Sequence, residues 1–181
     1  MSTGQGGGRE GQAGQRADQE TPHWWRRAVL DTSVLLSAER HWLWLLARLG
    51  IYEGFWSAFI VGELVRIRTE LSIRHQVPRA EYRRRINILV HALSDALRIV
   101  EYRHVTPGSR LKDPDDEPIL ATAVAAGAGC IVSLNTRDFP PSGMIEGVRY
   151  VTPAQFLTAL DAAAPEQGVR QRVASTERQI P

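Results

Sequence analysis

The sequence predicts an α/β domain with a mainly parallel central sheet covered on both faces by helices. Short apolar runs of strand length alternate with longer stretches whose apolar positions recur every three or four residues. The chain has 181 residues, 43% of them hydrophobic, which suits one ordinary domain with a single core. No internal repeat interrupts the alternation.

Each element follows from its own stretch. Residues 1–25 open with Gly, Gln, Arg and Glu in no periodic order and are expected to be a disordered arm. RRAVLD reads as the first strand, SVLLSAERHWLWLLARLG as one helix over 33–50, YEGFWS as a short strand and AFIVGELVRIRTELSIRH as a second helix. Pro78 breaks the chain before RAEYRRRINILVHALSDAL, a third helix over 79–97, and RIVEY follows as a strand over 98–102. DPDDEPILATAVAAG begins a helix that Gly127 and Gly129 end, GCIVSL is a buried strand, and VRYV with TPAQFLTAL gives the last strand and helix. The domain is expected over 26–162, with a flexible tail over 163–181.

Composition removes several classes. The one cysteine, Cys130, lies in the apolar run CIVSL and reads as a packing residue, so neither a disulfide framework nor a thiolate zinc site is available. No run is long enough to span a membrane and the N-terminus lacks an apolar signal core, so a cytoplasmic protein is expected. Of 22 basic residues all but Lys112 are arginine, a bias that fits either genome composition or phosphate recognition.

Three acids fall where a solvated carboxylate does not belong. Asp31 ends the first strand, and in parallel sheets ligands bind beyond the carboxyl ends of the strands. Glu63 lies within the apolar stripe Phe59, Ile60, Leu64, Ile67 and Leu71, and Asp116 leads the stripe Ile119, Ala123 and Gly127. By contrast Glu70, with Arg66 and Arg74 at helical spacing, reads as solvated. A buried acid is costly unless paired or metal-bound. Taken singly, Asp31, Asp115 and Asp116 each fit a helix N-cap, and Glu63 fits an arginine partner. Three acids on three segments aimed at one sheet end are harder to explain as caps.

The pieces VLDTSVLL, SAFIVGEL, DPDDEPILATA, IVSLNTRDFP and VTPAQFL, in this order over about residues 27–160, resemble the PIN-domain nucleases, in particular the VapC-type toxins of toxin–antitoxin systems. The resemblance implies a three-layer α/β/α fold and a metal-dependent endoribonuclease whose products carry 5′-phosphate and 3′-hydroxyl ends. Asp31, Glu63 and Asp116 match the family's first three acids. At the fourth, where many members have Thr-x-Asp, this chain has Ser133, Leu134 and Asn135, with Asp138 three residues on. Asn135 keeps an oxygen but loses a charge, so Asp138 is the candidate for the fourth carboxylate, directly or through water. Ser33 replaces an asparagine common in the family. Ser33 and Ser133 are candidates for hydrogen-bonding behind the ligands, although strand-end polarity explains Ser133 as well.

Clustered carboxylates suit Mg2+ or Mn2+, which take hard oxygen ligands and keep several waters. A seven-arginine stretch follows from Arg66 to Arg85, opposed only by Glu70 and Glu81, for a net +5. Arg79, Arg83, Arg84 and Arg85 are its candidate RNA contacts, since counterion release favours phosphate binding without reading sequence; solvated i,i+4 pairs are the alternative. Trp42 and Trp44 cannot share one helix face, so one is expected inward and the other on a dimer or partner surface. An RNA substrate, a cognate antitoxin and a homodimer are the expected partners. Receiver, dehalogenase-type and P-loop chemistries lack their defining residues here. A catalytically degenerate PIN fold serving as an RNA- or protein-binding module remains the other reading, kept open by Ser33 and Asn135.

Overall fold

A computed structural model describes residues 23–103, 111–163, 165, 168, 169, 171 and 173. Six strands form one sheet: β1 (Arg27–Leu30), β2 (Glu53–Trp56), β3 (Leu97–Ile99), β4 (Cys130–Val132), β5 (Met144–Ile145) and β6 (Val148–Val151). Their order is β3-β2-β1-β4-β6-β5, parallel throughout except that β5 pairs antiparallel with β6. Helices α1 (Thr32–Leu36), α2 (Arg40–Arg48), α3 (Ala58–Arg74), α4 (Arg79–Ser94), α5 (Glu117–Ala126) and α6 (Pro153–Ala163) flank it. The expected α/β architecture with a mainly parallel sheet is therefore the architecture found. None of the described helices is long and apolar enough to cross a membrane.

The central strands are buried along their length, as a sheet covered on both faces requires. Ala28, Val29 and Leu30 of β1 pack beside Cys130, Ile131 and Val132 of β4, and Cys130 is inert packing as expected. The order runs from β1 outward to β2 and β3 on one side, then returns to β4 on the other. The carboxyl ends of β1 and β4 thus form the point where the topology switches, the usual place for a ligand crevice.

Four boundaries depart from the sequence reading. The single helix expected over 33–50 is two helices, because Ser37 is extended (φ −88°, ψ 177°) and its hydroxyl donates to the Val34 carbonyl at 2.7 Å. A serine that offers a local hydrogen bond competes with the helical ladder; Arg40 then donates to the Ser37 carbonyl at 2.6 Å and starts α2. The third helix stops at Ser94 rather than continuing to 97, and the next strand occupies 97–99 rather than 98–102. Leu97 is needed beside β2, where it fits only because Gly54 has no side chain: an added Cβ would stand 2.4 Å from Leu97 Cδ2. The small edge strand β5 has no counterpart in the sequence pattern. On α3, only Ile60 and Leu64 are buried, so the stripe containing Glu63 is shallower than its periodicity suggests.

At the N-terminus, residues 1–22 of the expected arm lie outside the described residues, whereas His23–Arg26 form a 3-10 turn with Trp25 buried. Gly129 explains the fit of that turn. A Cβ there would lie 2.4 Å from the Trp24 carbonyl oxygen, so only glycine lets this backbone lie against the start of β4. Gly127 ends α5 in the left-handed conformation (φ 59°), donating to the Val124 carbonyl. Within the stretch expected as a tail, Val169 and Val173 are buried in the core. Trp42 is buried as the inward member of its pair, while the Trp44 indole donates to the Ala92 carbonyl and lies under Arg48.

Candidate active site

Asp31 is the first residue after β1 and takes the N-cap position of α1, yet its side chain makes no capping bond. Its backbone does the local work: the Asp31 N–H donates to Val132 O, and its carbonyl accepts from Val34 and Leu35. The carboxylate is directed elsewhere. Asp31 Oδ2 accepts the Ser33 and Ser133 hydroxyls, each at 2.6 Å, and only 8% of the residue is exposed. Both serines are held in turn by backbone, since Leu134 N–H donates to Ser33 Oγ (3.1 Å) and Asn135 N–H to Ser133 Oγ (3.0 Å). Ser133, for which strand-end polarity was the competing explanation, is a fixed donor to the central acid.

Asp116 closes a 3-10 turn over Pro114–Asp116 and stands at the head of α5, again with no capping bond. The capping falls to Asp113, whose side chain accepts from the Asp115 N–H at 2.9 Å. Burial comes first and the charges of Asp31, Asp113, Asp138 and Glu63 follow in pushing the Asp116 carboxyl up to about 6. The neighbouring like charges add to an upward push that burial begins. None of these five acids has an ion-pair partner among the described residues.

Asp31, Asp116, Ser133, Asn135 and Asp138 line one recess, walled by Ile119, Ile131, Phe139 and Tyr150. It holds about 20 Å³ at the radius of water, room for about one water-sized body. Asn135 spends its amide on Asp138, donating to Asp138 Oδ2 across the 3-10 turn Thr136–Asp138. Glu63 does not line the recess. It is half-buried on α3 and is held from below by Thr32, whose hydroxyl donates to Glu63 Oε2 at 2.5 Å. Its charge nonetheless reaches Asp116.

Arg79, Arg83, Arg84 and Arg85 are exposed on α4 and none of them lines the recess; Arg85 pairs with Glu81, as Arg66 does with Glu70. The basic groups beside the acids are others. Lys112 Nζ donates to the Arg137 carbonyl at 2.8 Å, joining the segment before Asp113 to the turn that carries Asp138. Lys112, Thr32 and Tyr150 are functional candidates that the sequence pattern does not single out. Thr32 could have been found from its place between Asp31 and Ser33; Tyr150 could not, because only the register Ile131↔Tyr150 brings it to the recess.

The donors facing the recess are carboxylate, hydroxyl and amide oxygens, suited to a hard divalent ion. The repulsion among these carboxylates, which adds to burial in raising Asp116, is what such an ion would relieve. Among the described residues, no three of His, Cys, Asp and Glu stand close enough to ligate one ion together. Asp31 and Asp116 are the residues that could hold such an ion, which would have to keep most of its own waters outside a recess with room for about one water-sized body.

A family model described as the PIN domain matches residues 27–137. No curated protein and no solved structure matches the chain.

Proposed function

Because the chain belongs to the PIN-domain family, whose members are generally nucleases, we propose that it is a metal-dependent endoribonuclease, the toxin of a toxin–antitoxin pair. The observation that carries this reading is the pair Asp31 and Asp116 at the topological switch point, neither used as a cap and both facing one recess. A bound Mg2+ or Mn2+ supplies a water of lowered pKa and neutralises charge on the leaving oxygen. The chain's own residues do the rest. Ser33 and Ser133 fix the rotamer of Asp31, Thr32 fixes Glu63, and Asn135 holds Asp138 toward the recess. Asp138, which lines the recess with one donor against the two on Asp31, takes the proton of the attacking water, and Glu63, outside the recess, acts on it only through water. Lys112 and Arg137 offer cations for the scissile phosphate, and the α4 arginines for more distant backbone.

The partner we propose is an antitoxin whose acidic amphipathic helix lies in a second, larger groove between α2, α3 and α4. That groove is lined by Trp44, Leu71, Ile88 and Leu89 and rimmed by Arg40, Arg68 and Arg85, with no acid in its lining. Its charge suits an acidic ligand. A homodimer through the same helices is the competing occupant.

One observation favours the other reading, a degenerate fold that only binds: the fourth acidic position is an amide already engaged with Asp138. Cleavage of RNA by the purified chain with Mn2+, abolished by chelator and by both Asp31→Asn and Asp116→Asn with RNA affinity retained, supports the nuclease. RNA binding without cleavage at any metal concentration establishes the binding module instead.

A further inference from the structure

Ser57 holds the N-cap position of α3 and, like Asp31 and Asp116 at the heads of α1 and α5, makes no capping bond with its side chain. A serine in that position ordinarily turns its hydroxyl back on the first free N–H groups of its own helix. Here the hydroxyl meets α5 instead. Thr122 Oγ1 lies 2.9 Å from Ser57 Oγ and 2.7 Å from the Pro118 carbonyl one turn earlier on α5, and both residues are fully buried. The Thr122 hydroxyl has one proton for these two acceptors; placed on the Pro118 carbonyl, it leaves Ser57 to donate to Thr122, and both hydroxyls are satisfied.

What this contact joins matters more than its own strength. Ser57 is the first residue after β2, and the register Val29↔Phe55, continued along both strands, sets it level with Asp31 at the end of β1. Glu63 lies six residues after Ser57, and Asp116 six residues before Thr122. Three of the five apolar residues that α5 buries are alanines, Ala121, Ala123 and Ala126. Their burial is non-directional, and such small side chains do little to stop a helix sliding or rolling on the sheet. A hydrogen bond between two fixed hydroxyls does stop it. We propose that Ser57 and Thr122 form a clasp that fixes α5 against the ends of β1 and β2, so that Asp116 is held opposite Asp31 and in range of Glu63. Both are positioning residues, and neither touches substrate or ion. This inference rests on the metal-nuclease reading and names the groups that set the spacing of its acids.

The test pairs two variants of the full chain. Ser57→Ala with Thr122→Val removes both hydroxyls and keeps the volume at 122, whereas Thr122→Ser keeps the hydroxyl and loses a buried methyl. Metal-free melting, Mn2+ affinity by calorimetry without RNA, and single-turnover RNA cleavage are measured on each. The double variant should melt close to wild type, because replacing both partners of a buried hydrogen bond by apolar groups is nearly neutral. It should nonetheless bind Mn2+ roughly tenfold more weakly and cleave roughly tenfold to a hundredfold more slowly at saturating RNA, the scale of loss that a displacement of about 1 Å brings. Thr122→Ser should do the reverse, melting lower for the cavity left by the methyl while affinity and rate stay near wild type. A pair that only holds the fold together would make affinity and rate follow melting in both variants, and that result overturns the clasp, as does a double variant that melts well below wild type. Wild-type affinity and rate in the double variant, beside weak binding by Asp116→Asn, overturn the clasp and leave the metal site standing. A wild type that binds Mn2+ without cleaving overturns the nuclease alone, since affinity still tests the clasp. Absence of Mn2+ binding by wild type overturns this inference together with the reading beneath it.

Discussion

Asp116 carries a pH dependence that can be measured apart from catalysis. Its carboxyl is pushed up to about 6, above the roughly 3.9 of an unfolded aspartate. On raising the pH the unfolded chain loses this proton first, so between those values the folded state holds more protons and stability falls as pH rises. Solvent screening at a half-exposed group limits the loss to on the order of 1 kcal/mol. Metal-free wild type should therefore melt lower at about pH 7 than at about pH 5 by an increment that Asp116→Asn removes, and stabilisation by Mn2+ should grow through the same window as proton and ion compete. An identical pH profile in the variant would mean that another group is responsible. Asp31 shows why this scale was partly legible. A strand-ending acid followed by a helix permits two roles, cap or ligand, and the sequence cannot choose between them. The choice is made by two serine hydroxyls from separate segments, one of them 102 residues away.

Among the elements, the proposed function gives α4 and the 3-10 turn Thr136–Asp138 different shares of an RNA substrate's phosphates. The arginines of α4 form a broad exposed face, whereas Lys112 is tied to the turn that carries Asp138. Neutralising Arg83, Arg84 and Arg85 together should lower the log–log salt slope of RNA binding by roughly 0.7 for each phosphate no longer neutralised, and leave kcat nearly unchanged. Changing Lys112→Gln should instead lower kcat at saturating RNA, since the phosphate beside the acids is the one that reacts. Salt titration of binding alongside single-turnover cleavage separates the two; an unchanged slope would remove α4 from the RNA path. Element identity was readable because period-two and period-3.6 patterns survive without tertiary information. Boundaries such as 37–39 and 94–97 were not, since they depend on a hydroxyl reaching a carbonyl and on Leu97 finding the space left by Gly54.

For the whole molecule, the acidic recess and the apolar groove are separate surfaces with separate linings. Function and restraint can therefore be uncoupled by substitution. Ile88 is 60% exposed, so Ile88→Asp should leave folding and RNA cleavage near wild type while releasing an acidic helical partner. Co-purification of the neighbouring gene product with wild type but not with this variant is the expected outcome; retention by both would place the partner elsewhere. The mainly parallel sheet was implied by the alternation of strands and helices, but its strand order was not. The groove was not, because it exists only where three helices, each unremarkable in sequence, leave a gap between them.

The absent methyl at Gly129 has a consequence for where this chain may be cut. Resemblance to the family begins at Arg27, but the Trp24 backbone already lies against Gly129 and Trp25 is only 9% exposed. A protein trimmed to start at the first matching residue would uncover the leading edge of β4 and return an indole to water. Burial of one large side chain is worth about 2–3 kcal/mol, so the shortened chain should melt roughly 5–10 °C lower, and Gly129→Ala in the longer chain should imitate part of that loss. Equal melting of the two lengths would show the turn to be dispensable. Homology and foldability thus draw different left-hand borders on this molecule, and the short turn between them decides how firmly the strand that delivers Ser133 is seated.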